Sequence, residues 1–264
     1  MKACRFHRLA AALAVAVPFV SSFAAAPEPH AAAQALVQRY ADAVIGVELV
    51  VTLKVKMGDR EAPPREQRVE VNGTVISETG LTVASLAEVD PQVAFEAMRA
   101  MPGPNSRVEL LGADFKEVKL RLADGTELAA RFVLKDVDLD LAFMAPVDNA
   151  AAEPRRFAHV NLENAAEGAT LGRFYTVGRA PKVLQRVPLI RATDVMGIVE
   201  KPRRFYLMTD LMLGAPAFDL EGRVLGIALQ NFANNRRTGL VILPASDVAE
   251  IARQAATAQA ANPE

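Results

Sequence analysis

Residues 208–229 restrict the fold more than any other stretch of the chain. Gly214 and Pro216 fall in the first part of this stretch, and a helix tolerates neither residue well in its interior, so we predict a loop. Glu221-Gly222 is a turn signal, and the apolar residues at 223–229 predict a strand directly after it. The fold must therefore contain a loop that is connected by a tight turn to a strand.

The composition favours a globular β-rich protein. Of the 264 residues, 51% are hydrophobic and 23% are charged, which suits one large or two small domains and excludes a disordered chain. Aromatic residues make up only 6% and there is no Trp, so Ala and Val carry much of the apolar content. We therefore expect a β-rich core of branched aliphatic side chains.

The N-terminus has the pattern of an export signal. Three basic residues precede an apolar run at residues 9–20, which is too short to span a bilayer comfortably. Ser22-Phe23-Ala24 fits a cleavage site with small residues, so we predict a secretory signal peptide over residues 1–25 and a periplasmic or secreted location. An uncleaved anchor is the alternative, but we expect no stable membrane insertion after cleavage.

Removal of the signal peptide would change the chemistry available to the chain. Cys4 is the only cysteine, so the mature protein would have no disulfide, no thiol nucleophile and no Cys-ligated metal. The formal charge would change from 30 − 31 = −1 to 27 − 31 = −4. A mildly acidic protein gives no reason to expect nucleic acid or an anionic membrane as its partner.

Hydrophobic periodicity divides the chain into an N-terminal helix and two sets of strands. Ala35, Leu36, Tyr40 and Val44 have helical spacing. Strands are predicted at 47–57, around 72–73, and at 81–84, 108–111, 118–122, 128–134, 139–144, 171–177, 183–191, 205–209, 224–229 and 240–243. Further features are a helix that opens with Asp90-Pro91, a hairpin tip at 234–237 and a final helix with Val248, Ile251 and Ala252 on one face.

Residues 208–227 resemble the nucleophile segment of trypsin-like serine proteases, in particular the bacterial HtrA-type branch. The family pattern is roughly T-D-x-x-x-x-P-G-N-S-G-G-P-L-x-N-x-x-G-x-V-x-G-I. Counting back from Gly222 places Leu213 where the family has its serine, and the loop is about five residues shorter than in the pattern.

Two further segments carry the resemblance, which covers about residues 46–255. Gly73 and Gly80 have the spacing of the family pattern G-S-G-x-I-I-S-x-x-G-x-x-V-T-N-N-H-V-V, and seven places further on Ala87 stands where the family has its histidine. The segment that ends in D-L-A-F resembles the family's D-L-A-V-L, so Asp140 matches the triad aspartate. The resemblance thus implies a vestigial triad with only its acid retained.

The resemblance implies an all-β fold of two antiparallel β-barrels of trypsin-like topology with an N-terminal and a C-terminal helix. We expect the N-terminal helix within 26–45, the first barrel at 46–148, a linker at 149–166 and the second barrel with the C-terminal helix at 167–255. A mobile tail would follow at 256–264. We expect none of the peptide-binding PDZ domains that HtrA proteins carry.

The histidines and serines of the mature chain do not fit a Ser-His-Asp site, which needs a nucleophile, an imidazole, an acid and oxyanion donors. His30 lies near the N-terminus and His159 follows the aspartate, so we interpret both as solvated surface side chains. No serine stands in a Gly-rich elbow, and Thr209 precedes the turn. We interpret the serines as two strand residues, a loop residue and a helix cap, respectively Ser77, Ser85, Ser106 and Ser246.

A buried aspartate without its histidine needs other partners. An unpaired buried carboxylate costs several kcal/mol, so we expect Asp140 to be met by backbone N–H groups, an arginine or water. We also expect Leu86, Met212 and Leu213 to fill the vacated cleft as a hydrophobic plug. The side chains of Ala87, Asp140 and Leu213 should converge.

The sequence therefore predicts a pseudoprotease that acts as a binding or scaffold module for a protein or peptide partner. The alternatives are a divergent active serine endopeptidase of the trypsin-like family and a structural subunit of an envelope complex. Asp136 and Asp138 could share a face with Asp140, but no Gly-bearing loop surrounds them, so we expect no calcium site. No cofactor and no other metal is expected.

Overall fold

The computed structural model describes residues 29–99, 108–147, 155–233 and 236–261. The predicted signal peptide, Ser106 and the central residues of the predicted hairpin tip lie outside these ranges. Among the described helices, none has the length and apolar character that a bilayer crossing requires.

The first seven strands form a closed barrel. They follow the order β2-β1-β3-β4-β7-β6-β5, and β5 also pairs with β1, so six strands close the barrel while β2 extends one hairpin. Helices α2 (Leu86–Val89) and α3 (Pro91–Arg99) connect β4 to β5. The strands are β1 Val44–Met57, β2 Arg60–Glu61, β3 Arg65–Val75, β4 Thr82–Ser85, β5 Val108–Arg121, β6 Glu127–Asp136 and β7 Leu141–Pro146.

The next seven strands close in a different way. Their order is β10-β11-β14-β13-β12-β8-β9, and only Val195 and Met196 separate β9 from β10. The Val195 N–H donates to the Gly172 carbonyl and the Met196 N–H to the Leu207 carbonyl, each at 2.9 Å, so one bent strand joins both ends of the sheet. The strands are β8 Arg173–Arg179, β9 Pro188–Asp194, β10 Gly197–Val199, β11 Phe205–Leu207, β12 Pro216–Phe218, β13 Val224–Ala233 and β14 Arg236–Pro244.

Two longer helices cover the outside of the barrels. Helix α1 (Pro29–Tyr40) leads through a 3-10 turn into β1, and α4 (Ala245–Ala261) follows β14. The ring of Tyr40 stacks on Phe218 with centroids 4.1 Å apart, and its hydroxyl donates to the Gly222 carbonyl at 2.7 Å. The N-terminal helix is thereby attached to the second barrel. The predicted all-β fold with two antiparallel barrels and terminal helices is confirmed.

Three apolar cores result from the alternation of side chains along the strands. One core lies inside each barrel, and a third lies between the barrels and includes residues of α1 and α4. In β7, Met144 faces the interior of the first barrel while its neighbours Phe143 and Ala145 face the second barrel. The strands at the seam are therefore buried on both faces, as their nearly continuous apolar sequences require.

Several predicted elements were wrong in extent. The two strands predicted at 108–111 and 118–122 form one strand, β5, which ends at Arg121 and carries exposed polar side chains between them. Strands β10 and β12 were missed, since three residues give too little alternation to detect. Pro216 was predicted to lie in a loop, but it is the first residue of β12.

The helices also differ from their predicted positions. In α1 the buried residues are Ala32, Leu36 and Tyr40, whereas Ala35 is exposed. Helix α4 continues to Ala261, and its Ala255 is fully buried against the seam, so residues 256–261 of the predicted tail are helical.

Gly214 lies where the backbones of the two barrels approach each other closely, and we predict that Gly214→Ala destabilises the fold by about 3 kcal/mol or more. Its φ is 72°, and a Cβ there would lie 2.1 Å from the Asn72 carbonyl oxygen. Gly125→Ala is the control, because Gly125 has a φ of 86° with nothing within 4 Å of an added Cβ. It should cost about 1–2 kcal/mol for the left-handed backbone alone. Urea unfolding of both variants measures the difference, and equal losses would contradict the close approach.

Candidate functional site

The buried carboxylate of Asp140 joins the two barrels. Asp140 lies in the turn between β6 and β7 with a φ of 58° and is 1% exposed. Its Oδ2 accepts hydrogen bonds from the Ser85 hydroxyl at 2.6 Å and from the Gln230 N–H at 2.8 Å, and its Oδ1 accepts one from the Ala87 N–H at 2.7 Å. Ser85 and Ala87 belong to the first barrel and Gln230 to β13 of the second. Two backbone N–H groups and one hydroxyl therefore meet this charge.

Ala87 and Asp140 are in direct contact through that hydrogen bond. Ala87 is the second residue of α2, and the Leu86 N–H just before it donates to the Asp140 carbonyl at 2.9 Å. The turn and the start of α2 are thus fixed to each other by main-chain and side-chain bonds. A methyl group is the only side chain that Ala87 offers, and it can accept no proton.

Leu213 lies in the loop between β11 and β12 and is half-buried at the seam. The Gly214 carbonyl accepts a hydrogen bond from the Thr74 hydroxyl at 2.7 Å, which holds this loop against β3 of the first barrel. The Gly214 N–H donates to the Ala228 carbonyl and the Ala215 N–H to the Met212 carbonyl. Both hydrogen bonds lie within the second barrel, so they fix the segment after Leu213 to its own barrel.

A crevice of about 380 Å³ lies between the barrels, beside Leu213. Glu88, the neighbour of Ala87, lines it together with Leu213, so segments from both barrels that carry predicted site positions border one cavity. Its apolar lining includes Val71, Leu211, Met212, Leu213 and Leu240, and its charged lining comprises Glu70, Glu88, Arg179, Arg186 and Arg191.

The predicted hydrophobic plug is wrong for Leu86. The Leu86 side chain is fully buried in the core of the first barrel, together with Ile45 and Val47, because α2 turns it inward. The Met212 side chain packs against Gly178, and a Cβ added at Gly178 would lie 2.7 Å from the Met212 sulfur. Met212 and Leu213 form a wall of the crevice and leave its volume open.

The described histidines lie away from the crevice. His30 is exposed in α1, and Nδ1 of the half-buried His159 lies 3.2 Å from the Phe157 carbonyl oxygen. Neither lines the cavity beside Leu213. Asp136 accepts the Leu139 N–H at 3.0 Å, and no group of three or more potential ligands for a metal occurs among the described residues.

The role of Ser85 was missed by the sequence analysis, which placed it only at a strand end. Its hydroxyl is fully buried and donates its hydrogen to Asp140, so it is not presented to solvent as a nucleophile. Ser77 contacts Thr79, and Ser246 is exposed at the start of α4. The only sequence signal for Ser85 was its position two residues before Ala87, which stands where the family has its histidine.

Ion pairs between the barrels border the crevice and were also missed. Arg186, in the hairpin between β8 and β9, donates to Glu48 and Glu70 of the first barrel, and Arg121 donates to Glu48 as well. The hydrogen bond from Arg121 is the main cause that lowers the pKa of Glu48, and burial opposes it. Arg179 donates to the Ala41 carbonyl at 2.6 Å, and burial lowers its pKa.

We predict that Asp140→Asn lowers the free energy of unfolding by about 3 kcal/mol, because an amide NH₂ would face one of the present donors. Asp138→Asn is the matched control, since Asp138 is exposed two residues away and should change stability by less than about 0.5 kcal/mol. Chemical denaturation measures both. Similar small losses would show that the Asp140 carboxylate does not hold the barrels together.

We also predict a pH dependence from Glu48. Its pKa lies below the ordinary value of 4.5 in the folded protein, so its stabilisation is present above that value and is lost as the pH falls through the folded pKa. Glu48→Gln should therefore flatten the fall in stability below about pH 5. Glu61→Gln, on exposed β2, is the control. Unfolding curves at several pH values that decline equally in both variants would contradict this role.

Comparison with known proteins identifies the family. A crystal structure of the MamO protease domain from Magnetospirillum magneticum in its apo form is similar, with 15% sequence identity, a TM-score of 0.49 and coverage of 81% of this chain and 97% of that chain. No curated protein matches the sequence. The family model described as trypsin-like peptidase domain matches residues 71–227, which is more than half of the chain. The chain therefore belongs to the family of trypsin-like peptidase domains.

Proposed function

We propose that this chain is an exported trypsin-like domain that does not hydrolyse peptide bonds and that binds a protein or peptide partner. The observation that carries the proposal is the environment of Asp140. Its carboxylate is met by the Ser85 hydroxyl and by the amides of Ala87 and Gln230, while the side chain at the predicted histidine position is a methyl group.

The chemistry of acyl transfer supports the inactive assignment. Attack on a peptide carbonyl needs a nucleophile whose proton an adjacent base removes. Leu213 supplies no such atom, and the Ser85 hydroxyl is directed at Asp140 in the protein interior.

The crevice supports a binding role. Its volume of about 380 Å³ falls within the range of ligand sites, and its apolar lining beside charged groups suits one large side chain of a polypeptide. Arg179 and Arg186 are held by hydrogen bonds across the seam, so the walls are preformed. Export follows from the predicted signal peptide and would place the partner in the periplasm or outside the cell.

A fluorophosphonate probe tests the inactive assignment. We predict no covalent labelling of the purified chain that lacks residues 1–25, because no described serine faces the crevice beside a base. Ser85→Ala serves as the matched variant, since it removes the hydroxyl that contacts Asp140. Mass spectrometry locates any adduct. A label on any serine, lost on substitution of that serine, would overturn the proposal in favour of a divergent serine endopeptidase.

Site-specific photocrosslinking tests the binding role separately. A photoreactive amino acid at Leu213 in the crevice should capture a defined envelope protein or peptide, whereas the same group at Leu111 should not. Leu111 is 45% exposed in β5, away from the crevice, and therefore controls for nonspecific capture. Equal capture at both positions would contradict a ligand in the crevice.

A further inference from the structure

The exposed apolar residues of the described chain are concentrated on one hairpin. Ten large hydrophobic side chains are exposed among the described residues, and six of them lie between residues 171 and 196. A random distribution would scatter them, whereas a concentrated apolar surface commonly marks an interaction site. The six residues are Leu171, Val183, Leu184, Val187, Ile190 and Met196.

The register of β8 and β9 places part of this surface on one outer face. Val177 pairs with Ile190 and Tyr175 pairs with Ala192, and in each pair the β8 residue is buried while the β9 residue is exposed. Helix α1 packs against both strands, and Tyr175 and Val177 of β8 belong to the core between the barrels. We call the outward residues Pro188, Ile190 and Ala192 the β9 strip. It continues into the hairpin loop, where Val183 is 85% exposed.

The backbone of β9 is open along the same strip. The Ala180 N–H donates to the Val187 carbonyl and the Val195 N–H to the Gly172 carbonyl, which fixes the alternation of hydrogen bonds at both ends of the ladder. In that alternation, Ile190 and Ala192 direct their N–H and C=O groups away from β8. Because β9 pairs with β8 alone, these groups lie at an open sheet edge.

The hairpin that carries the strip is rich in basic residues. Residues 179–193 contain four basic residues and no acidic residue, in a chain whose formal net charge is −1. Arg179 and Arg186 are engaged at the seam and Arg191 pairs with exposed Asp210, whereas Lys182 is exposed to solvent. A partner segment with acidic side chains at its end would complement this charge.

We propose that the open edge of β9 binds an extended polypeptide segment of another protein, with alternating apolar residues and an acidic end. Such a segment would add a strand beside β9, satisfy the backbone groups of Ile190 and Ala192, and place its apolar side chains on the β9 strip. A lipid surface offers no matching series of backbone donors and acceptors. A second copy that paired β9 with β9 would bring two basic segments together, which is unfavourable.

Synthetic peptides test this proposal on the whole mature chain. The probe is a peptide of about ten residues with alternating Val and Thr and an Asp pair at each end. Titration followed by amide NMR should shift the Ile190 and Ala192 signals and slow their hydrogen exchange. Two control peptides should each bind at least about tenfold more weakly. One has Lys in place of Asp, and the other is N-methylated on alternate backbone nitrogens.

Two variants test the edge itself. Ala192→Pro removes an N–H that takes no part in the β8 ladder, so it should lower the affinity at least about tenfold while the unfolding midpoint is retained. If this variant does not fold, Ile190→Asp gives the same information, because it sets a negative charge against the acidic peptide. Leu111→Asp is the control on an exposed residue of β5.

Each opposite result overturns the proposal. In the peptide titrations, such results are no binding of the acidic peptide, equal binding of the N-methylated peptide, or signal changes at Leu213 in place of β9. Dimer formation through β9 would also overturn it. So would binding to phosphatidylglycerol vesicles that depends on Val183 and Leu184. The proposal for the crevice is tested independently. Photocrosslinking at Leu213 can capture a partner when the peptides do not bind at β9, and the peptides can bind at β9 when photocrosslinking at Leu213 captures nothing.

Discussion

The buried negative charge of Asp140 is the constraint on which the arrangement of the two barrels depends. A carboxylate that is 1% exposed must be met by donors, and here they come from both barrels. The Ala87 amide fixes the start of α2 relative to the turn after β6, and the Gln230 amide fixes β13 relative to that turn. The hydrogen bonds of this one side chain thereby help to fix how the two sheets face each other.

The same contacts separate the structural role of Asp140 from any catalytic role. In the Ser-His-Asp arrangement an acid orients an imidazole. Here the Ser85 hydroxyl and the backbone N–H groups of Ala87 and Gln230 donate hydrogen bonds to the carboxylate oxygens of Asp140. Asp140 therefore has a structural role that does not require an imidazole. Loss of the acid would leave three donors without their acceptor at the seam, which gives a physical reason to retain it.

Much of the fold could be predicted from the sequence, but the contacts at the site could not. The apolar run with outward lysines in β1 predicted a strand, the spacing of Gly73 and Gly80 led to Ala87, and the D-L-A-F segment led to Asp140, because these are local patterns. Ser85 and the Gln230 amide were missed since their role depends on two segments that meet only in the folded chain. The pairing of Arg186 with Glu48 joins residues from different barrels, and sequence spacing carries no signal for it.

The seam and the outer edge of the second barrel differ in how they could accept a ligand. Opening the seam would break buried contacts, among them the Thr74 hydrogen bond to Gly214 and the stacking of Tyr40 on Phe218. A ligand of the crevice must therefore fit a nearly fixed shape. The edge at β9 needs no such disruption, because the groups it offers already face outward. A segment that pairs with the backbone of β9 could thus have many different side-chain sequences. A ligand of the crevice could differ little in shape.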